Sequence, residues 1–297
     1  RPVYEFLSKA DVVFGIGTSL TKHGMTTPIP TDKTFIHATN DPIDISKNYY
    51  ADYPVLGDAK LVLRQFIDAS KDLLGTRGRR ASGHVAEEIA TMRQEWLAQW
   101  MPKLTSSQRA ITPYRVIWEF MQNVDPSQAI VTHDSGSPRD QLMPFYQSDG
   151  PRTYLGWGKS HGLGTGLGLI IGAKLAAPEK FCVNFMGDAA FGMIGLDFET
   201  AVRSNLPTLT VVLNNSSMAI ETQAMARSHE LYGTRDLGGN YADMARAMGG
   251  WSERVEDPDD VGPAILRAKH ATEDGKAALL EFITTQEQDF SYRRAFT

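Results

Sequence analysis

The sequence of 297 residues predicts an α/β fold, with doubly wound parallel sheets, helices on both faces and two α/β units joined by a helical linker. Short apolar runs of strand length alternate with longer amphipathic segments, which is the pattern of βαβ units. Near residue 75 the composition shifts to Arg, Gly and Ser and then to an amphipathic helix, which separates two such regions. Small or polar residues follow several of the apolar runs, where an open parallel sheet binds its ligands.

The first unit is predicted to cover residues 1–74 as a partial, Rossmann-like domain. Its elements are, in order, a helix over 2–9, strands over 11–16 and 34–38, a short strand near 55–56 and a helix over 59–74. Gly15 and Gly17 follow the first strand, but a Gly-x-Gly pair alone is a weak sign of a dinucleotide site. Asp41 and Pro42 follow the second strand and are expected to begin a turn or a helix.

Residues 75–110 are predicted to form the linker, with an amphipathic helix around 87–100. Trp96 and Trp100 lie four residues apart on that helix, a spacing that more often packs domains than stacks on a ligand. Residues 111–297 are predicted to form the second unit. Its elements are a helix after Thr112, a strand over 129–132, a loop over 133–146, a glycine-rich stretch that opens a helix, a strand over 181–186, a further helix, a strand over 209–213, helices over 241–248 and 260–269, and a strand over 278–284.

The composition argues against several classes of function. A hydrophobic fraction of 42% and a charged fraction of 22% are typical of a soluble globular protein, and a net charge of −5 argues against a nucleic-acid-binding surface. No apolar stretch reaches ~18 residues and no signal-peptide pattern opens the chain, so we predict neither a membrane partner nor secretion. The single cysteine, Cys182, lies in an apolar run, which excludes an internal disulfide and fits a cytoplasmic location.

The strongest functional signal is the spacing of Asp188 and Asn215, which lie 27 positions apart (215 − 188) at the two ends of one strand–helix–strand unit. In a parallel βαβ unit both strands end at the same edge of the sheet, so these side chains should be neighbours. One carboxylate, one amide oxygen and a turn carbonyl suit an octahedral Mg²⁺ that completes its shell with water and phosphate oxygens. Small residues at 187, 189 and 190 would let backbone N–H groups approach a diphosphate.

An ordinary structural role explains either residue taken alone. Asp188 could cap the following helix, and Asn214 with Asn215 could form a turn, as isolated Asp and Asn residues usually do. The spacing, the flanking apolar strands and a second segment upstream favour the metal site. That segment, residues 156–176, carries glycines at 162, 164, 166, 168 and 172, which remove side chains where a helix start approaches a neighbour closely.

Together the two segments resemble the thiamine-diphosphate motif of the decarboxylase and acetohydroxyacid-synthase superfamily. Members show Gly-Asp-Gly or Gly-Asp-Ala and then Asn-Asn, and this chain has Gly-Asp-Ala at 187–189 and Asn-Asn at 214–215. The resemblance implies that Asp188, the side chain of Asn215 and the main-chain oxygen of Ser217 are metal ligands. It also implies cofactor contacts by Ser137, His161, Gly162, Leu163, Gly187, Asp188, Ala189, Ala190, Asn215, Ser217 and Met218.

Leu163 takes the place of the bulky residue that supports the family's cofactor in its bent shape, when the stretch is aligned on the Ile-Gly-Ala at 171–173. The carbonyl of His161 and the N–H of Leu163 would then meet the aminopyrimidine ring. A glycine-rich run by itself is more often a nucleotide loop or close helix packing. Its position just before the strand that carries Asp188 favours the cofactor.

Residues 1–74 resemble the back half of the family's central domain, and residues 111–297 resemble its diphosphate-binding domain. Acetohydroxyacid synthases carry an Arg-Phe-Asp-Asp-Arg stretch that helps to hold FAD, but this chain has Gly-Thr-Ser-Leu-Thr at 17–21, so FAD is not expected. No segment resembles the pyrimidine-binding domain, which supplies the family's catalytic glutamate, usually across a dimer interface. We expect a C-terminal fragment of a longer enzyme rather than one of two separate subunits.

The resemblance therefore implies thiamine diphosphate and Mg²⁺ as cofactors and a 2-oxo acid as the small-molecule substrate. The reaction would be decarboxylation or acyl-carbanion transfer, as in acetolactate synthases, by a homo-oligomer (dimer or tetramer) in its full-length form. The alternative is a non-catalytic cofactor-binding subunit, or a fragment that lacks the pyrimidine domain. His133 and His161 are candidate acid–base residues because histidine titrates near neutrality and both lie near the predicted cofactor edge. A histidine in a loop is, however, more often only solvated or hydrogen bonded.

Overall fold

The computed structural model describes residues 1–22, 28–75, 83–156, 162–222 and 224–291. The chain divides into two compact units, one built mainly from Arg1–Gln99 and the other from Trp100–Phe290. Both are α/β units with parallel strands and flanking helices, which confirms the predicted fold class. The exact division into two domains and a linker stays a prediction. None of the described helices is long and apolar enough to cross a membrane.

The described part of the first unit contains three strands, with helices before and after them in sequence. Its elements are helix α1 (Pro2–Lys9), strands β1 (Val12–Ile16), β2 (Thr34–Thr39) and β3 (Tyr53–Leu56), helix α2 (Ala59–Leu74) and helix α3 (Gly83–Leu104), whose last residues belong to the second unit. The strands pair in parallel in the order β1-β2-β3. Asp58 begins α2 because its carboxylate accepts the N–H groups of Lys60 and Leu61, and Gly75 ends it with a φ of +68°.

The second unit is built on a larger sheet. Its described strands are β4 (Ala129–His133), β5 (Tyr154–Leu155), β6 (Phe181–Gly187), β7 (Leu209–Asn214), β8 (Trp251–Val255) and β9 (Ala278–Ile283). They pair in parallel in the order β5-β4-β6-β7-β9-β8. Its described helices are α4 (Pro113–Asn123), α5 (Ser137–Leu142), α6 (Thr165–Ala176), α7 (Asp188–Ile194), α8 (Asp197–Arg203), α9 (Ala226–Tyr232), α10 (Tyr241–Ala247) and α11 (Val261–Glu273).

Apolar side chains cover both faces of this sheet. Successive residues of a strand point to opposite faces, so the continuous apolar runs of the central strands supply both. Cys182 and Met186 of β6 point to one face, where they join the core built with α6, α8 and α10. Phe185 points to the other face, where its ring centroid lies 5.0 Å from that of Phe120 in α4. All residues of β4 and β7 are buried, as expected for central parallel strands. Packing of helices against both faces holds these strands in place, and with them the edge of the sheet at which they end.

Most predicted helices and strands are found close to their expected bounds, but the loop expected at 133–146 is wrong in part. It contains helix α5, which begins at Ser137 with Pro138 in its first turn, a position that suits proline because the missing N–H has no helical partner there. The edge strands β5 and β8 were not predicted. β5 has only two residues, and β8 carries Glu253 and Arg254, which mask its apolar pattern.

The single helix expected after Gly187 is also wrong, because the chain forms the two short helices α7 and α8 instead. The break falls at Gly195, where a Cβ would lie 2.6 Å from the carbonyl oxygen of Phe191. Helix α9, which comes after the turn at the end of β7, was not predicted either. These short helices have too few residues for a clear helical period in the sequence.

Candidate functional site

Strands β4, β6 and β7 lie side by side in parallel and end at the same edge of the sheet. Asp134, Asp188 and Asn215 directly follow these three strands. This edge is where a doubly wound sheet binds its ligands. The predicted juxtaposition of the segments that carry Asp188 and Asn215 is therefore present in the fold.

A cavity of about 170 Å³ opens at this edge. Nine of the residues that were predicted to contact the cofactor or the metal line it, namely Ser137, Leu163, Gly187, Asp188, Ala189, Ala190, Asn215, Ser217 and Met218. Gly162 is exposed and is not among the described residues that line the cavity. His161 lies outside the described residues. The cavity thus joins the segment after β4, the glycine-rich loop, the start of α7 and the turn after β7.

Asp188 is a buried carboxylate at this cavity, with 2% of its surface exposed. It is the first residue of α7, and its Oδ1 accepts the N–H of Ala189 at 2.9 Å. Its Oδ2 has no hydrogen-bond partner among the described residues. Burial raises the pKa of Asp188, and the backbone N–H groups of Ala189, Ser216 and Ser217 oppose this shift only in part. Contact with the helix start therefore occupies one oxygen, and a cation would stabilise the other.

The turn after β7 brings further oxygen atoms to the cavity. Asn215 Oδ1 accepts the N–H of Ser217 at 3.0 Å, and Ser216 between them is left-handed, with a φ of +56°. The N–H of Met218 donates to the carbonyl of Arg235 at 2.9 Å, which holds the far side of the turn. The turn expected from the asparagines is therefore present. It is compatible with metal binding because the Asn215 oxygen keeps a second lone pair.

The donors at the cavity fit a hard divalent cation. A carboxylate oxygen without a partner, an amide oxygen and a main-chain oxygen are ligands that Mg²⁺ accepts, with water and phosphate oxygens completing its shell. The described parts of the chain contain no group of three or more His, Cys, Asp or Glu side chains that could hold a metal. A metal here would therefore depend on Asp188 together with neutral oxygens of Asn215 and Ser217.

Asp134 follows β4 as Asp188 follows β6, and it is completely buried. Its Oδ1 accepts the N–H groups of Ser135 and Gly164, both at 2.8 Å, and its Oδ2 accepts that of Gly166 at 3.0 Å. This carboxylate fastens the glycine-rich loop to the end of β4, next to Leu163. Asp134 was not predicted as a site residue, although an acidic residue directly after a buried strand is a signal in the sequence that points to it.

Two glycines allow the loop to lie this close to its neighbours. Gly164 has a φ of +96°, and a Cβ there would lie 2.7 Å from Cγ2 of Ile194 in α7. At Gly166 a Cβ would collide with the side-chain oxygen of Asn184 in β6. Any larger residue at either position would push the loop, and Leu163 with it, away from the sheet.

His133 is the last residue of β4, and only 4% of its surface is exposed. Its Nδ1 lies 3.2 Å from the carbonyl oxygen of Asp134, and its ring centroid lies 5.5 Å from that of Tyr154 in β5. Burial lowers the pKa of His133, which favours the neutral imidazole. His133 is not among the described residues that line the cavity. An acid–base role for His133 stays a prediction, as does that of His161.

Glu281 is a second buried acidic residue that was not predicted from the sequence. It lies in the middle of β9 and has no exposed surface. Its carboxylate accepts Nδ2 of Asn214 at 2.7 Å and the N–H of Ala242 at 2.9 Å, and it pairs with Arg254 at 3.3 Å. The signal in the sequence is a glutamate inside an otherwise apolar strand, because a charged side chain is rarely buried without partners.

Comparison with known families matches both units. Residues 134–282 match the thiamine pyrophosphate enzyme, C-terminal TPP binding domain, and residues 1–66 match the thiamine pyrophosphate enzyme, central domain. The first of these matches begins at Asp134 and ends just beyond Glu281, so it contains the residues that directly follow β4, β6 and β7 and most of the residues that line the cavity.

The chain is also similar to individual proteins that are named as acetolactate synthases and as an acetyltransferase. The chain is 24% identical to a probable acetolactate synthase large subunit of Methanococcus aeolicus, over 92% of this chain and 47% of that protein. It is 27% identical to a sulfoacetaldehyde acetyltransferase of Alcaligenes xylosoxydans xylosoxydans, over 99% and 53%. It is 30% identical to the acetolactate synthase isozyme 3 large subunit of Escherichia coli (strain K12), over 73% and 37%. The chain spans about half the length of the curated relatives it matches.

The match to the C-terminal domain covers half of the chain, and the match to the central domain covers most of the first unit. Each family match therefore falls within one of the two α/β units. The match to the C-terminal domain includes Asp188 and Asn215, which line the cavity. The chain belongs to the thiamine pyrophosphate enzyme family.

Proposed function

We propose that the protein is a thiamine-diphosphate- and Mg²⁺-dependent enzyme that acts on a 2-oxo acid. The observation that carries the proposal is Asp188, a buried carboxylate whose Oδ2 has no hydrogen-bond partner in the described part of the chain. Asn215 and Ser217 line the same cavity. Burying a carboxylate without a partner is costly, and a divalent cation between these oxygens would remove that cost.

The chain's own residues would bind and orient the cofactor. Asp188, the side chain of Asn215 and the main-chain oxygen of Ser217 would hold Mg²⁺, and the backbone at 187–190 would approach the diphosphate. Leu163, held by the loop that Asp134 fastens, would support the bent shape of the cofactor. When bound, thiamine diphosphate supplies an electron sink for the carbanion that is left when a bond next to a carbonyl breaks. Ser137, Gly162 and Met218 are proposed as further contacts.

An enzyme is favoured over a non-catalytic cofactor-binding module. Relatives that match nearly the whole chain are named as acetolactate synthase and as acetyltransferase. Because the chain spans about half their length, groups on the pyrimidine side of the cofactor would come from a further domain or from a separate subunit. A homo-oligomer of the full-length form, in which that domain reaches across a dimer interface, is part of the proposal.

For the reaction we propose decarboxylation of a 2-oxo acid or transfer of the resulting acyl group, in line with the names of the relatives. His133 and His161 are the proposed acid–base residues. Because burial lowers the pKa of His133, it would accept a proton at neutral pH rather than donate one. A cytoplasmic location is proposed because the chain's one cysteine, Cys182, is buried as a free thiol in the fold.

Calorimetric titration of the full chain with thiamine diphosphate, with and without Mg²⁺, tests the proposed binding. We expect tight binding only when both are present, and none in the Asp188→Asn variant. A folded wild-type chain that binds neither would overturn the proposal.

Turnover is the second test. Pyruvate, a longer 2-oxo acid and sulfoacetaldehyde would be offered with and without a supplied pyrimidine domain. Consumption of a 2-oxo acid that needs both cofactors supports the enzyme. Cofactor binding without turnover of any compound, even with the added domain, would favour the binding module.

A further inference from the structure

We propose that Glu281 is a positioning residue for the metal-binding turn and that it acts through the side chain of Asn214. The inference deepens the proposed function and rests on it, because the turn after β7 is the segment that carries Asn215 and Ser217. Glu281 does not line the described cavity. Any effect on a metal must therefore pass through a neighbour.

The two oxygens of Glu281 serve different neighbours. Oε1 accepts Nδ2 of Asn214 at 2.7 Å and lies 3.3 Å from Arg254, whereas Oε2 accepts the N–H of Ala242 near the start of α10 at 2.9 Å. The carboxylate is completely buried. One oxygen thus satisfies a helix start, which is a purely structural task, and the other holds an amide next to the turn.

The contact with Glu281 settles which way the amide of Asn214 faces. Its nitrogen must point to the carboxylate, so its Oδ1 points to the turn, where it accepts the N–H of Ser216 at 3.0 Å and lies 3.3 Å from the Ser216 hydroxyl. Ser216 is the left-handed residue of the turn, a conformation that a residue other than glycine adopts only when its surroundings hold it. The Asn214 oxygen is one of those constraints.

A chain of contacts therefore runs from β9 to the proposed ligands. Glu281 orients Asn214, Asn214 holds Ser216, and Ser216 lies between Asn215 and Ser217. If the carboxylate is lost, the Asn214 amide can rotate and the Ser216 N–H loses its acceptor. The oxygens of Asn215 and Ser217 would then sample several positions, which weakens the binding of a cation that demands near-octahedral geometry.

The test compares Glu281→Gln and Asn214→Ala with a matched control, Glu253→Gln. Glu253 lies on the neighbouring strand β8 and forms an ion pair with Arg267. This ion pair does not involve the turn after β7. The affinity for Mg²⁺ is measured by titration at saturating thiamine diphosphate, together with the thermal midpoint of the metal-free chain. Hydrogen–deuterium exchange of the segment 213–219 reports the turn directly. A double variant of Glu281 and Asn214 completes a thermodynamic cycle.

We expect Glu281→Gln and Asn214→Ala each to weaken Mg²⁺ binding about tenfold or more, as removal of partners behind metal ligands commonly does. Exchange in the segment 213–219 should rise in both. The double variant should bind Mg²⁺ no more weakly than the worse single variant, because both changes break one chain of contacts. Glu253→Gln should bind Mg²⁺ as the wild type does. If Glu281→Gln fails to fold, Asn214→Ala and its exchange pattern carry the test.

Two results would overturn the inference. The first is a wild type that binds Mg²⁺ while both variants, still folded, bind it equally well. Glu281 would then only stabilise the start of α10. The second is a loss in the double variant equal to the sum of the single losses. A wild type that binds neither Mg²⁺ nor thiamine diphosphate would instead overturn the proposed function, and this inference with it.

Discussion

The ends of β4 and β6 carry the same residue type at the same place, and the two aspartates serve different purposes. Both Asp134 and Asp188 are buried, and burial raises the pKa of both. The oxygens of Asp134 accept three backbone N–H groups, whereas Asp188 accepts one at Oδ1 and has no partner at Oδ2 in the described part of the chain. Burial alone therefore does not identify a ligand. The carboxylate oxygen that the fold leaves without a donor is the one that a cation would stabilise.

The difference arises from the path of the chain after each strand. After β4 the chain makes α5 and β5, and the glycine-rich loop returns over the strand end with its N–H groups facing Asp134. After β6 the chain enters α7 at once, so the N–H of Ala189 donates to Oδ1 of Asp188 at 2.9 Å. The N–H groups of Ser216 and Ser217 also favour the charged carboxylate, but neither makes a hydrogen bond of normal geometry to it among the described residues. No loop returns over this strand end to donate to its second oxygen among the described residues, and Asp188 lines the cavity.

The largest expected effect on stability is that of Asp134→Asn. The amide cannot accept all three N–H groups, and its NH₂ would face a donor, so we expect a loss of about 2–4 kcal/mol in the free energy of unfolding. Asp188→Asn, which removes a buried charge without a partner, should leave the metal-free chain as stable as the wild type or more so. Urea unfolding of the metal-free proteins measures both. Equal losses of unfolding free energy in the two variants would show that the fold does not distinguish the two carboxylates in this way.

Substitution of Asp188, which should cost little stability, should cause a large loss of cofactor affinity. Asp188→Ala removes the only anionic ligand proposed for the metal, and we expect at least about a 100-fold loss of Mg²⁺-dependent thiamine-diphosphate affinity, or ~2.7 kcal/mol. Asn215→Ala should lose less, because an amide oxygen is a weaker ligand and water can replace it. Calorimetry at several Mg²⁺ concentrations measures both. Unchanged affinity in Asp188→Ala would remove the metal assignment.

Leu163 lies on the loop that Asp134 holds at the end of β4. If its side chain supports the bound cofactor, Leu163→Ala should lower turnover, in a preparation that is active, more than it lowers diphosphate affinity. The matched control is Leu167→Ala in α6, a fully buried core residue whose truncation should cost ~2–5 kcal/mol in stability. Leu163→Ala with a lowered melting temperature and normal turnover would make Leu163 an ordinary core leucine.

The smallest expected effect is a pH dependence of the metal-free chain. Because burial raises the pKa of Asp188 above its ordinary value of 3.8, the folded state holds this proton more tightly than the unfolded state. Stability from this group is therefore lost as the pH rises from near 3.8 through the folded pKa. Asp188→Asn lacks that loss, so its stability relative to the wild type should increase over this window. Thermal unfolding at a series of pH values measures it.

Saturating Mg²⁺ with thiamine diphosphate is the control for that prediction. It should stabilise the wild type above this window and leave Asp188→Asn unaffected. A stability difference between the two proteins that does not vary with pH would show that Asp188 is not strained by burial in the metal-free chain.

Local patterns predicted much of the second unit. The apolar runs at 181–186 and 209–213 appear as β6 and β7, because central parallel strands need apolar side chains on both faces. Edge strands do not need apolar side chains on both faces. Strand β8 contains charged residues, so it does not appear as an apolar run in the sequence. Short helices such as α5 and α7 depend on packing against the sheet rather than on their own periodicity.

The fold class and the proximity of Asp188 to the turn at Asn215 follow from local sequence patterns, since two parallel strands joined by a helix must end at one edge. Which polar atoms have partners depends instead on contacts between distant parts of the chain. Asp134 meets Gly164 across 30 residues and Asn214 meets Glu281 across 67, and neither spacing follows a local period. Such partners are brought together by the packing of the whole sheet, and that packing leaves Oδ2 of Asp188, a residue that lines the cavity, without a donor among the described residues.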